Sequence, residues 1–254
     1  MLIRGQARTG LSLMLLVLVL CAAVLADDPC RYCKGDKLLK KLHYVDGDKT
    51  VCDLCSKKLP KCDECHLPTD LPKYRDGRFF CPSCKGVGVW TETTARNLQQ
   101  SVVTYLQSLL GPTALKPCPP VKVVDQDEIQ TKFTASGRSI QVSGFYQANN
   151  PEMVYLLSGS PPIELLSVMS HEYTHAWQSR NCPAQDRALS EGFACWTQYK
   201  FLASRGELNR AEQLTRHQDS DYGASLVKIL EREKKIGPVK LVEWVKKARN
   251  LSDP

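Results

Sequence analysis

The spacing of apolar residues changes character near residue 90. Beyond that point Leu98, Val102, Tyr105, Leu106 and Leu109 recur at helical intervals, and Gly111-Pro112 ends the run. Short apolar stretches suited to strands follow at Val121–Val124, 140–146 and 154–157, the last read as an edge strand. Pro161-Pro162 then opens a helix whose apolar positions include Leu165, Leu166, Val168, Met169, Ala176 and Trp177. Another helix begins around Asp186 or Ser190 and ends near Gly206, and two more lie before Gly237 and after Pro238. A few short strands among several helices predict an α+β domain over residues 91–254.

Residues 27–90 follow another logic, in which cysteine sets the period. Four Cys-x-x-Cys pairs stand at Cys30/Cys33, Cys52/Cys55, Cys62/Cys65 and Cys81/Cys84. They belong to a repeat. Each copy holds a cysteine pair, a Tyr-x-Asp-Gly turn (Tyr44 to Gly47, Tyr74 to Gly77) and a second pair. Two such pairs present four thiolates to one tetrahedral zinc ion. The economical assignment is one zinc per copy, on Cys30, Cys33, Cys52 and Cys55, and on Cys62, Cys65, Cys81 and Cys84. An interleaved pairing is the alternative, because spacing alone does not fix which pairs combine. Disulfides are the competing chemistry for an exported chain.

Export is expected from the first 26 residues. Arg4 and Arg8 precede the apolar run from Leu11 to Leu20, and small residues end at Ala26, the pattern of a cleaved secretory signal. The run is short for a membrane span, and no later stretch is long and apolar enough for one. Losing Arg4 and Arg8 lowers the formal charge from +7 to +5, a mild excess of scattered basic residues. No basic recognition helix accompanies it, so nucleic acid is not an expected partner. The expected location is secreted or periplasmic, without stable membrane insertion once the signal is removed.

The chemistry concentrates in His171-Glu172-x-x-His175. Residues four apart on a helix share a face, so both imidazoles can reach one ion, and Glu172 is placed as general base toward a water on that ion. After fifteen intervening residues His175 is followed by Glu191, on the next predicted helix. A carboxylate from that helix completes a His₂Glu set with one position left open. Tyr222 and His217, further along, are candidates for the donor that meets a developing oxyanion. Cys182 and Cys195 flank Glu191 and are either a disulfide or two free cysteines. Three metal ions per chain are expected, one catalytic and two structural.

These residues carry a resemblance to a family. Tyr155-Leu-Leu-Ser-Gly159-Ser-Pro161, His171-Glu-Tyr-Thr-His-Ala-Trp177 and Ser190-Glu-Gly192 resemble, in the same order, elements of the plant LIM-domain peptidases that restrain organ growth. The cysteine repeat in front of them resembles a LIM domain. The resemblance implies a minimal gluzincin-like metallopeptidase domain, a small sheet with active-site helices, behind a LIM-like double zinc module that docks a substrate or protein partner. The peptide would lie along the strand at 154–157. Cys52 stands where LIM domains place a histidine, six residues separate Cys55 from Cys62, and Ala194 lacks the carboxylate many gluzincins carry there. Another group must then orient the outer nitrogens of the histidines. The alternative function is a LIM-like adaptor without activity, and a third is a disulfide-stapled binding protein.

Overall fold

The computed structural model describes residues 30, 32–33, 42–45, 49–134, 142–149, 151–219 and 221–254. The expected signal segment, the expected Asp46-Gly47 turn and the start of the strand expected at 140–146 lie outside them. The chain forms two compact units: one holds the residues up to Pro72 together with Phe79–Cys81, the other Lys73–Arg78 and Pro82–Pro254.

In the first unit β1 (Leu42–Val45) pairs antiparallel with β2 (Lys49–Cys52), and α1 (Asp53–Lys58) follows directly. The Cys52 sulfur caps α1 by accepting the Cys55 N–H, so the second cysteine pair is itself a helix start. Val51 and Leu67 pack against Cys30, Cys52 and Cys55, which makes half of this small core out of cysteines. Thr69, fully buried, donates its hydroxyl to the Phe80 carbonyl, and the Asp63 N–H reaches the Phe79 carbonyl.

The second unit is α+β. Its turn at Tyr74–Arg78 has the Gly77 N–H on the Tyr74 carbonyl and Gly77 at φ +87°, the left-handed conformation expected of the Asp-Gly pair. Next come α2 (Pro82–Val87) and α3 (Glu92–Leu110), the latter capped by Thr91 and closed by Gly111. The sheet has the order β3 (Val121–Val124), β5 (Met153–Leu157), β4 (Gly144–Gln147), with β3 parallel and β4 antiparallel to β5. Between β3 and β4 lies α4 (Gln126–Thr134). The helices α5 (Pro162–Asn181), α6 (Arg187–Ser204), α7 (Leu208–Leu214), α8 (Gly223–Ile236) and α9 (Pro238–Val245) complete the unit. Nine helices and three strands of one sheet beside the β1–β2 pair are counted among the described residues, and none of these helices is long and apolar enough to cross a membrane.

One expectation is overturned here. The strand at 154–157 is central, not an edge. Both its sides are paired and both its faces are covered: Val154 and Leu156 enter the main core, while Tyr155 and Leu157 pack with Ile129 of α4. Its unbroken apolar run is the signature of a strand buried on two faces, whereas an edge strand with one wet face alternates. A peptide cannot add to it. Among the described residues the outer strands are β3 and β4, and β4 is the one beside α5. The Leu157 N–H bonds the Ser143 carbonyl, which sets the alternation: Phe145 exchanges hydrogen bonds with β5, and the main-chain groups of Gly144 and Tyr146 turn outward.

Candidate metal centres

Helix α5 is buried nearly all round although its sequence is mixed. Leu165, Met169, Tyr173, Ala176 and Trp177 enter the core. Its buried hydroxyls bond within the helix layer, Ser170 to the Ser167 carbonyl, Thr174 to the Ser170 carbonyl and to Thr197 of α6. This packing leaves His171 and Glu172 only 8% exposed. Asp186 starts α6 by accepting the Leu189 N–H, which sets Glu191 just over one turn in, 3% exposed and facing the two histidines. Gly192 lets α8 approach: a Cβ there would meet the Ser225 Cβ at 2.7 Å.

Three donor atoms converge. His171 Nε2 lies 3.1 Å from His175 Nε2, and Glu191 Oε2 lies 3.2 and 3.3 Å from the two nitrogens. A tetrahedral ion with nitrogen and oxygen ligands near 2.0–2.1 Å holds them about 3.3 Å apart. The triangle fits. Burial opposes the Glu191 charge, but the closeness of the His171 and His175 imidazoles holds the carboxyl well below the usual range, keeping it ionised. Glu172 behaves oppositely. Burial, with the Glu191 charge adding to it, raises its pKa despite the two histidines and the Tyr146 N–H it accepts. The two buried carboxyls are thus pushed in opposite directions, Glu191 toward its charged form and Glu172 away from it.

The outer nitrogens also have partners. His175 Nδ1 lies 2.9 Å from Gln178 Oε1 and 3.5 Å from the Ser190 hydroxyl, and His171 Nδ1 lies 3.9 Å from the Cys195 sulfur. These take the place of the carboxylate that Ala194 does not supply. Cys195 and Cys182 are both free, so no disulfide pins the start of α6.

Two cavities of about 450 and 480 Å³ meet over this triangle, sharing Val142, Gly144, His171, Glu172 and Tyr222 in their walls. Phe133, Phe145, Tyr146 and Cys182 extend one, and Val168, Leu214 and His217 extend the other. Tyr222 stacks on His171, ring centres 6.1 Å apart and 17° between planes. Arg187, paired with Asp221 at 3.2 Å, also hydrogen-bonds the Tyr222 side chain. Burial and the Glu191 charge push the Tyr222 phenol above its ordinary value, so it stays a donor. His217 is exposed and tilted on Tyr222 at 5.2 Å, with Nδ1 accepting the Asp219 N–H. The structure therefore brings Tyr222 against the triangle and sets His217 behind it. Gly223 permits this turn, since a Cβ would meet the His217 carbonyl oxygen at 2.4 Å.

The cysteines gather as two tetrads, Cys30, Cys33, Cys52, Cys55 and Cys62, Cys65, Cys81, Cys84, each with its sulfurs within 4.8 Å of one another. Cys33 and Cys52 are 3.8 Å apart, Cys65 and Cys81 3.7 Å. Thiolates about 2.3 Å from a tetrahedral zinc stand about 3.8 Å apart, whereas a disulfide requires about 2.05 Å. The sulfurs are unbonded. Burial raises the Cys30 thiol, but the N–H groups of Cys33, Cys52 and Tyr32 outweigh it and bring it down to about 6, while burial and the Cys52, Cys33 and Cys30 sulfurs push the Cys55 thiol of the same tetrad up to about 12. Two Cys₄ groups and one His₂Glu group among the described residues can therefore hold metal ions, and their donor sets suit zinc.

Residue by residue, the structure brings together all eleven expected ligands. Sequence reading missed Gln178, Cys195, Arg187, Gly144 and the outward Tyr146 N–H. Only Gln178 carried a readable signal, three positions after His175 and so on the same helix face. Scans against protein-family models, curated proteins and solved structures find no match for the chain.

Proposed function

We propose that the chain is an exported zinc-dependent endopeptidase of gluzincin type, akin to the plant LIM-domain peptidases. The observation that carries this reading is the 3.1–3.3 Å triangle of His171, His175 and Glu191 with a buried carboxylate, Glu172, beside it. His171, His175 and Glu191 would hold the ion, leaving a fourth position toward the cleft. Bound zinc supplies Lewis acidity, bringing the pKa of a bound water toward about 7 and polarising a carbonyl.

Glu172 takes the proton from the attacking water and returns it to the leaving amine. Its raised pKa suits both halves of that exchange, and the Tyr146 N–H fixes its direction. The substrate pairs with the outer edge of β4, where the Gly144 main chain and the Tyr146 carbonyl turn away from β5, the Tyr146 N–H being taken by Glu172. An extended peptide is the ligand such an edge selects, which favours peptide over ester or sugar hydrolysis. Tyr222, kept protonated by burial and the Glu191 charge and oriented by Arg187, donates to the oxygen on which charge develops. The cysteine tetrads hold structural zinc, and the LIM-like module docks a substrate or partner.

Glu172→Gln tests the assignment. Cleavage of a peptide library should fall by about 10²–10⁴ while zinc content stays unchanged. Undiminished cleavage by that variant would remove Glu172 from the chemistry.

A further inference from the structure

Gln178 has no part in the proposed chemistry, yet it is buried on α5 and 2.9 Å from a candidate ligand. Its orientation can be derived. The Val245 and Ala248 carbonyls can only accept, so the Gln185 side-chain nitrogen faces them, at 2.9 and 3.2 Å. That turns Gln185 Oε1 toward Gln178, whose nitrogen donates to it at 3.2 Å and to the Ser190 carbonyl at 3.1 Å. Gln178 is left presenting its oxygen to His175 Nδ1. Oxygen only accepts, so Nδ1 carries the proton and Nε2 keeps its lone pair. That is the atom facing His171 and Glu191.

We propose that Gln178 is a positioning residue that holds His175 in its metal-binding tautomer and ring orientation, and that Gln185 anchors it to the main chain at the end of α9. The inference rests on the metal-site reading above. A hydrogen-bond acceptor on the outer nitrogen of a ligating histidine orients the ring and raises its basicity, and removing such partners commonly costs about 10–100-fold in metal affinity. The neighbouring Ser190 hydroxyl, at 3.5 Å, is too distant to replace it well. The chain gives this site an amide where a carboxylate would add charge. The amide has a use for both its ends, since only a nitrogen can satisfy Gln185 and Ser190 while the oxygen serves His175.

The test uses the full chain and zinc alone. Affinity at the His₂Glu site is read by chelator competition, with the double variant His171→Ala/His175→Ala as the reference lacking it. Gln178→Leu is expected to weaken zinc about 10–100-fold and to alter the absorption of bound cobalt, with the metal-free melting temperature recording any loss of fold. Gln178→Glu keeps an oxygen toward His175 and should bind more tightly than Gln178→Leu; equal weakening in both would assign the loss to packing and overturn the positioning role. Gln185→Leu, which leaves His175 and Gln178 in place, should weaken zinc by a smaller factor and covers the case in which Gln178→Leu does not fold. Wild-type affinity and cobalt spectrum in the Gln178→Leu and Gln185→Leu variants would overturn the proposal alone. If the double-histidine variant binds as much zinc as the wild type, the metal-site reading itself fails.

Discussion

The cysteine tetrads and the His₂Glu triangle are built by opposite routes. Each tetrad is assembled from two short Cys-x-x-Cys turns, and in the first unit the ligands themselves supply half of the small core around Val51. The triangle draws on two long helices, and behind it stand the large buried side chains Trp177, Phe193 and Trp196. In the first case metal would make the fold. In the second the fold would make the metal site, then hold it with buried hydrogen bonds that contribute no ligand.

The largest expected effect separates the two. Zinc removal by chelation under reducing conditions should unfold the first unit, since structural zinc contributes about 10–16 kcal/mol to such modules. Amide hydrogen exchange should then show residues 49–68 losing protection while α5 and α6 keep theirs. Equal loss in both regions would show that the triangle, too, is a folding site and that the contrast is false.

Within the triangle, Tyr222→Phe sharpens the distinction between holding metal and using it. The ring that stacks on His171 is kept and only the hydroxyl is lost. Cleavage should fall by about 10²–10³, chiefly in kcat, with zinc content unchanged. An unchanged kcat would move the oxyanion donor elsewhere.

The Asp-Gly turn of the second repeat gives a smaller effect on stability alone. The Asp76 side chain is fully buried, pairs with Arg78 at 2.7 Å and accepts the Gln126 N–H, while Arg78 also donates to the Ser158 carbonyl. Asp76→Ala would leave the guanidinium buried without its counter-charge, a loss of about 3 kcal/mol in the second unit. Burial works against the Asp76 charge, but Arg78 and the Gln126 N–H prevail and lower its pKa from 3.8. A depressed folded pKa means the stabilisation is present above about pH 4 and fades as pH falls through the lower, folded value. Urea midpoints of wild type and variant should therefore converge in acid. A gap that stays constant down to pH 2 would assign the loss to packing.

How much of this was legible in the sequence follows the same contrast. The tetrads were readable because each ligand pair is local and the repeat states the pairing. Glu191 was readable because a carboxylate on the following helix is what two histidines lack. The strand at 154–157 was misplaced because an apolar run identifies burial but not neighbours, and its position depends on where β4 docks. Gln178 and Arg187 are polar residues on helices, a class whose usual place is the solvent. Spacing places Gln178 on the helix face of His175, but the direction of its amide and the role of Arg187 come from tertiary neighbours such as Gln185, Tyr222 and the end of α9, which no spacing encodes.

Gly144 shows the limit most sharply, because its contribution is an absent atom. A Cβ at this position of β4 would lie 2.3 Å from a Val168 methyl and 3.0 Å from Glu172 Cγ and Oε1. Something would have to move. Val168 and Glu172 both sit on α5, whose other side is packed against the core, so the strand edge or the Glu172 carboxylate must give way. Gly144→Ala is therefore expected to lower cleavage by up to about 100-fold through misplacement on the order of 1 Å, while zinc affinity holds because none of the three ligands is touched. Overpacking of this kind should cost about 1–3 kcal/mol in stability as well. If cleavage survives intact, β4 can shift without disturbing Glu172, and the close approach of strand to helix is then a packing feature with no bearing on the base.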